Sequence, residues 1–211
     1  GDDPYLIGEF AAALIRGYQG KGLMDRSAIL ATAKHYAGYS ETQGGRDSSE
    51  ADLSRRKLRS YFLPPFQRAV QAGAMTFMTG YQSIDGLPST RNHWLLTEVL
   101  KDEWGFKGVV VTDWDNVGAL VKSQRVCANY AEAATVAVRA GNDIMMTTPE
   151  FFEGAIEAVK SGMLMESEID APVARFLALK FRMGLFEDPR AADLEKAAFE
   201  TQRQDHRAVN L

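Results

Sequence analysis

The chain has 211 residues, 45% of them hydrophobic and 25% charged, with a net charge of −4. That length suits one domain or most of one, with enough chain for a sizeable core, and the composition is ordinary for a globular protein. The mild acidity disfavours nucleic acid as the main partner, because a surface that tracks phosphates needs clustered Lys and Arg. The one basic cluster, Arg55, Arg56, Lys57 and Arg59, falls in a helical pattern and is expected to be a solvated helix face. Cys127 is the single cysteine, so no disulfide can form within the chain, and its neighbourhood points to a structural or incidental thiol. No stretch approaches the roughly 20 apolar residues of a membrane span, and the opening Gly1-Asp2-Asp3-Pro4-Tyr5 has no signal-peptide character. The compartment stays open.

In chain order, an amphipathic helix is expected over Glu9 to Tyr18, then a buried strand over Ile29 to Lys34. A helix from Leu53 to Gln71 follows, bent or restarted at Pro64 and Pro65. A second strand is expected at Ala74 to Thr79, followed by a helix at His93 to Glu103. A third strand, Val109 to Thr112, precedes a helix at Ala131 to Arg139. A fourth, Asp143 to Met146, precedes a helix at Phe151 to Lys160. A last helix is expected near Pro172 to Met183, with Pro172 in its first turn and Gly184 as its stop. The polar tail from Ala191 to Leu211 reads as a helix leading out of the domain or as a linker. Strand starts recur every roughly 35–45 residues, the size of a βαβ unit, which implies a parallel sheet. No GxGxxG or GxxxxGK[ST] loop is present, which lowers a nucleotide-binding reading. Two architectures fit, a doubly wound open sheet and part of a (β/α)₈ barrel, since a whole barrel needs about 250 residues.

Polar groups gather at successive strand ends. In Val109-Val110-Val111-Thr112-Asp113-Trp114, side chains alternate, so Val109, Val111 and Asp113 share a face. That would stand Asp113 at the C-terminal mouth of a barrel, where active sites sit. Trp114 beside it offers a flat apolar surface suited to the C–H face of a sugar ring. The competing reading makes Asp113 a helix N-cap, although Asp115 and Asn116 lie closer to the next helix. Lys34 and His35 end the first strand, and both reach a pocket only where the strand ends or bulges, which Gly38 permits. A solvated Lys and a core His are the bland alternative. Tyr81 follows the second strand, just before a turn at Asp85-Gly86; a buried tyrosine with a satisfied hydroxyl is its ordinary role. His35, His93 and His206 lack ligand spacing, so neither a metal nor another cofactor is expected.

With these residues in hand, the sequence resembles glycoside hydrolase family 3, the β-glucosidase family. The matching segments run in family order: Asp3-Pro4-Tyr5-Leu6 with Gly8-Glu9, Ala33-Lys34-His35-Tyr36-Ala37-Gly38-Tyr39, Tyr81 through Asp85-Gly86-Leu87-Pro88, Trp104-Gly105-Phe106-Lys107-Gly108 into Thr112-Asp113-Trp114, and Leu179-Lys180-Phe181-Arg182-Met183-Gly184-Leu185-Phe186. The resemblance implies a TIM-type barrel of which residues 1–190 are about the second half, with 191–211 leading towards a second domain. It implies that Asp113 is the catalytic nucleophile of a retaining β-glycosidase, that Lys34 and His35 bind sugar hydroxyls, and that Tyr81 lies near the nucleophile. Thr112 stands where the family mostly has Ser, and Tyr36 where it has Phe. The first strands and the acid/base carboxylate belong to parts of the family not matched here, and a His dyad found in an N-acetylglucosaminidase branch is absent from Ser40 to Asp47.

A nucleophilic Asp113 must be ionised, and Lys34 nearby would favour the charged form. Asp115, Glu41, Asp47 and Asp85 are the local carboxylates, none with a motif behind it, so the acid/base is expected outside this chain. The expected partners are a small carbohydrate substrate, the remaining barrel half and a second domain, with no nucleic acid and no membrane; a homodimer is left open. Two other classes compete: a sugar-binding module without catalysis, and a structural half that docks through its apolar strand edges.

Overall fold

The computed structural model describes residues 2–191 and 194–202; His206 and the end of the tail expected as a helix or linker lie outside the described residues. α1 spans Pro4–Gln19. Asp3 caps it by accepting from the N–H groups of Tyr5 and Leu6 at 2.9 and 3.2 Å, and Pro4 occupies a first-turn position where its missing N–H costs nothing. These two residues start the helix more than a turn before Glu9.

β1 is Thr32–Tyr36, β2 Thr76–Thr79, and β5 Val109–Val111, and they form a parallel sheet in the order β1-β2-β5. The first strand lies later than expected, and the apolar run from Ile29 leads into it rather than forming it. Between β2 and β5, β3 (Ser83–Ile84) and β4 (Leu87–Pro88) make a small antiparallel hairpin. Its turn needs positive φ at both Asp85 (50°) and Gly86 (78°), the pattern of a two-residue hairpin connection.

The fourth expected strand is not regular. Ile144 makes one parallel bridge to Val111, and the segment lies along β5 through the Asp143 and Ile144 N–H groups, which donate to the Val110 carbonyl at 2.8 and 3.0 Å. The Val110 N–H donates to the Asp143 carboxylate at 2.8 Å instead of to a backbone carbonyl. A side chain thus takes the place of the ladder partner at one end, and at the other the Met146 N–H donates to the Thr112 hydroxyl, so regular pairing is confined to Ile144.

α2 (Arg55–Lys57), a π-helical stretch (Leu58–Phe62) and α3 (Leu63–Gln71) form one continuous run. The expected bend becomes a π segment: the Leu63 N–H reaches back to the Leu58 carbonyl, and Pro64 then falls in the first turn of α3. The basic face is solvent-exposed as expected, with Arg55 over the Trp94 ring at 4.5 Å, Lys57 on Glu41 and Arg59 on Glu103. Trp94–Glu103 is also π-helical and buries Leu95, Leu96, Val99 and Leu100.

α4 (Asn116–Lys122), missed in the sequence, precedes α5 (Tyr130–Ala140), α6 (Glu150–Lys160), α7 (Glu166–Arg182) and α8 (Leu194–Gln202). Pro172 lies inside α7 rather than at its start. The helix begins earlier because the Glu168 carboxylate accepts from the Met165 N–H at 2.9 Å while the Glu168 N–H donates to the Met165 carbonyl at 2.9 Å, a reciprocal cap.

The main core lies between the sheet and its helices. Tyr36 is fully buried, with edge-on contacts to Phe66 and Phe77 at 5.1 and 5.4 Å between centroids. Its hydroxyl donates to the Leu95 carbonyl at 3.2 Å, so the oxygen that distinguishes Tyr36 from Phe is satisfied. Cys127 is a buried free thiol packed with Val117, Leu120 and Ala133. Along the edge of β1 that has no strand neighbour among the described residues runs a hollow lined by Ile7, Leu14, Ile29, Ala33, Lys34 and Tyr61. No described helix is long and apolar enough to cross a membrane.

Candidate active site

Three parallel strands deliver their C-terminal ends to one place. β5 ends at Val111, and Thr112 is wholly buried, its Oγ1 accepting the Met146 N–H at 2.9 Å. This hydroxyl ties the end of β5 to the neighbouring segment, a job that Ser or Thr performs equally. Asp113 comes next, 9% exposed. It is not the helix cap: Asp115 holds that position of α4, in a left-handed conformation with φ 49°. The Asp115 carboxylate lies on Lys122 at 3.0 Å rather than on helix N–H groups.

Three groups meet the Asp113 carboxylate. His35 Nε2 lies 3.2 Å from Oδ2, and the Trp114 N–H donates to Oδ1 at 2.7 Å. The Tyr81 hydroxyl also donates to it; burial first, and then this bond and the nearby negative charge, push the Tyr81 phenol up to about 12. Each donor stabilises negative charge on the carboxylate without neutralising it. Burial holds the His35 imidazole below its ordinary pKa; the Asp113 charge opposes that shift and the Lys34 charge reinforces it.

His35 gains this position because the pairing of β1 with β2 shifts register between Ala33 and Tyr36, the irregularity that the sequence required. The peptide bonds Lys34-His35 and Tyr36-Ala37 are cis. Lys34 is placed differently. Its residue is exposed and lines the hollow beside β1 with Glu41 and Lys57. The groups against Asp113 are His35, the Tyr81 hydroxyl and the Trp114 N–H, so the expected support of the Asp113 charge comes from groups other than Lys34. Trp114 is 61% exposed and lies open beside Asp113.

The other local carboxylates are engaged elsewhere. Glu41 pairs with Lys57 at 2.5 Å, Asp115 with Lys122, and Asp47 accepts from the Tyr39 hydroxyl. Asp85 is exposed at the hairpin turn. Among the described residues no group of three or more His, Cys, Asp or Glu side chains is placed to hold a metal ion.

Sequence reasoning missed the residues that join the strand ends. The buried Gln82 amide donates to the Ala37 carbonyl at 2.8 Å, tying the end of β2 to that of β1. The buried Asn116 amide donates to the Gly80 carbonyl at 2.9 Å, tying the loop after β5 to β2. Tyr39 packs between His35 and Tyr81, with centroid distances of 4.9 and 6.5 Å. Tyr39 lies in a family-like segment, but nothing in its spacing marks its partners.

Parallel strands alternating with helices, with polar side chains gathered beyond their C-terminal ends, are the architecture of a TIM-type (β/α)₈ barrel, here represented in part. Residues 1–179 match the glycosyl hydrolase family 3 N-terminal domain. The chain belongs to this family. It is 35% identical to a β-xylosidase of Formosa agariphila over 100% of this chain and 30% of that protein. It is 34% identical to a periplasmic β-glucosidase of Salmonella typhimurium over 90% of this chain and 25% of that protein. Among solved structures, a β-glucosidase involved in saponin metabolism from intestinal bacteria superposes with a TM-score of 0.93 at 58% identity, over 99% of this chain and 28% of that one. A β-glucosidase from Listeria innocua in complex with isofagomine superposes with a TM-score of 0.85 at 35% identity, over 89% of this chain and 27% of that one. The chain therefore spans less than a third of the length of these relatives.

Proposed function

We propose that the protein is a retaining β-glycosidase acting on terminal β-linked glucose, with Asp113 as nucleophile. The observation that carries this reading is the state of Asp113: a nearly buried carboxylate at a strand end, held by His35, Tyr81 and the Trp114 N–H, with no Lys or Arg paired to it. Such a carboxylate has no Lys or Arg beside it to balance the charge that attack uses. An Asp113 oxygen bonds to the anomeric carbon as the glycosidic C–O bond breaks, and a general acid gives the leaving oxygen its proton. Water, activated by the same group, then cleaves the glycosyl ester and regenerates Asp113.

His35 and Tyr81 hold the nucleophile, Lys34 and His35 bind sugar hydroxyls, and the exposed Trp114 ring supports a sugar face. The acid/base is assigned to a segment outside this chain, because the nearby described carboxylates are tied to Lys57, Lys122 and Tyr39 or exposed at a turn. The domain boundary is placed at 190/191. A β-xyloside substrate is the second reading, favoured by the name of the Formosa relative. The sizes of these relatives support a remaining barrel half and a second domain as partners of this segment.

The test is mass spectrometry after incubation with 2-deoxy-2-fluoro-β-glucosyl fluoride. A stable adduct on the peptide containing Asp113 is expected with the full-length protein and not with the 211-residue chain alone. No adduct on the full-length protein from either the glucosyl or the xylosyl reagent would refute the reading. Turnover by the isolated chain would refute the external acid/base.

A further inference from the structure

The loop from Tyr39 to Glu50 comes back over the strand ends, and its contacts are more specific than a surface connection needs. It is stitched in place: the Gln43 N–H donates to the Glu50 carbonyl at 2.9 Å, the Ala51 N–H to the Ser83 carbonyl at 2.8 Å, and the Gly86 N–H to the Glu50 carboxylate at 2.9 Å. Asp47 is thereby presented from a loop pinned to the β3–β4 hairpin, and its carboxylate accepts from the Tyr39 hydroxyl. That is a charge-assisted bond, the stronger kind.

Two glycines set the position of Tyr39, Gly38 by turning the chain and Gly80 by making room for the ring. Gly38 has φ 79°, a left-handed turn that sends the chain back after β1, and a Cβ there would lie 2.5 Å from Leu53 Cδ1. A Cβ on Gly80 would lie 2.9 Å from Tyr39 Cδ2, so only glycine lets the ring come this close. So seated, the ring lies 4.9 Å from the His35 imidazole with a 35° tilt, and His35 Nε2 lies 3.2 Å from Asp113 Oδ2.

The geometry points to Tyr39 and Asp47 as a positioning pair: Asp47 anchors the Tyr39 hydroxyl, and the anchored ring holds the His35 imidazole in line with Asp113. This rests on the reading of Asp113 as nucleophile. An imidazole bonded at one end alone can swing about its side-chain torsions, and the Tyr39 ring removes that freedom. The charged groups acting on His35 are Asp113, Lys34 and Asp47, so Asp47 acts through its field as well as through the ring. Burial, then the Asp47 bond and charge, push the Tyr39 phenol above its ordinary pKa, so it stays a neutral donor across the working range.

The experiment uses the full-length protein with Tyr39→Phe, Asp47→Asn and the double variant, all nearly isosteric. The readouts are steady-state kinetics on an aryl β-glucoside and NMR titration of the His35 ring, with the exposed His93 as an internal reference. Each single variant is expected to lower kcat about tenfold with KM within about twofold, within the up to about 100-fold that a misplaced reacting group costs. The double variant is expected to lose no more than the worse single one, because both changes break one linkage. Asp47→Glu, which keeps the charge, should recover part of the loss. Wild-type kcat in either single variant, or losses that multiply in the double variant, would overturn the pair.

If the unaltered protein neither turns over nor labels at Asp113, the reading of the site fails, and the pair is judged by NMR alone. A His35 titration midpoint moved in both single variants then supports it, and a midpoint unmoved in either one overturns it.

Discussion

Asp113 and Asp143 are both withdrawn from water, with side chains 12% and 0% exposed, and they are held in opposite ways. Asp143, at the entry to the segment beside β5, is enclosed by cations: Lys101 Nζ lies 3.1 Å away, Arg175 Nε donates at 2.7 Å, and the Val110 N–H at 2.8 Å. Asp113, beyond the exit of β5, meets the Trp114 N–H, the Tyr81 hydroxyl and His35, whose imidazole burial keeps towards neutral. A carboxylate neutralised by two cations is a staple, since its charge is balanced where it stands. A carboxylate held by neutral donors keeps a charge that a reaction can use. If Asp113 is the nucleophile as proposed, the two carboxylates beside β5 separate stability from chemistry, as the two faces of barrels do.

This contrast can be broken at either end. The largest effect is expected from Asp113→Asn, which should lower kcat on an aryl β-glucoside by about 10⁴-fold, the order found when a member of a catalytic set is removed, with the thermal midpoint unchanged or higher. Loss of folding with retained activity per folded molecule would reverse the assignment.

Asp143→Ala should show the opposite signature. It leaves Lys101 and Arg175 without their shared partner, and breaking a buried pair costs about 3–5 kcal/mol, read as a lower denaturant midpoint. The fraction that remains folded should still label at Asp113.

Tyr81→Phe removes one donor to the charged Asp113 and should cost about 1.5–3 kcal/mol of transition-state stabilisation, seen in kcat more than in stability. An effect on melting alone would make Tyr81 a core residue.

The smallest effect concerns pH. The folded state pulls the His35 pKa below its unfolded value through burial. The stability it contributes is therefore fully present above the unfolded imidazole pKa and is lost as pH falls through the lower, folded one. Denaturant melts should show a decline on the acidic side of the ordinary histidine range that His35→Asn removes. A decline on the alkaline side would contradict the burial argument.

Much of the frame was legible in the residues. The strand and helix alternation follows from short apolar runs separated by amphipathic stretches, and His35, Tyr81 and Asp113 stood out as polar side chains at the ends of such runs. The irregular strands were not legible in the same way. Asp143 to Met146 reads as a strand by composition, but one buried carboxylate takes a ladder bond from the backbone, and apolar periodicity carries no record of that. The helix after Asp113 was missed because Asn116–Lys122 is two turns long, too short for a periodic signal.

The sequence by itself determined the family, the parallel alternation of strand and helix, and Asp113 as the residue to test, because these depend on local pattern and on motifs continuous in the chain. Only the tertiary structure decided that Asp113 is no helix cap, that Lys34 stands beside the hollow while His35 reaches the carboxylate, and that Gln82, Asn116, Tyr39 and Asp47 join the strand ends. These residues meet across separations of about 8 to 45 positions. Which polar group satisfies which buried partner is settled by how strands register and loops fold back, and chain order does not encode that locally.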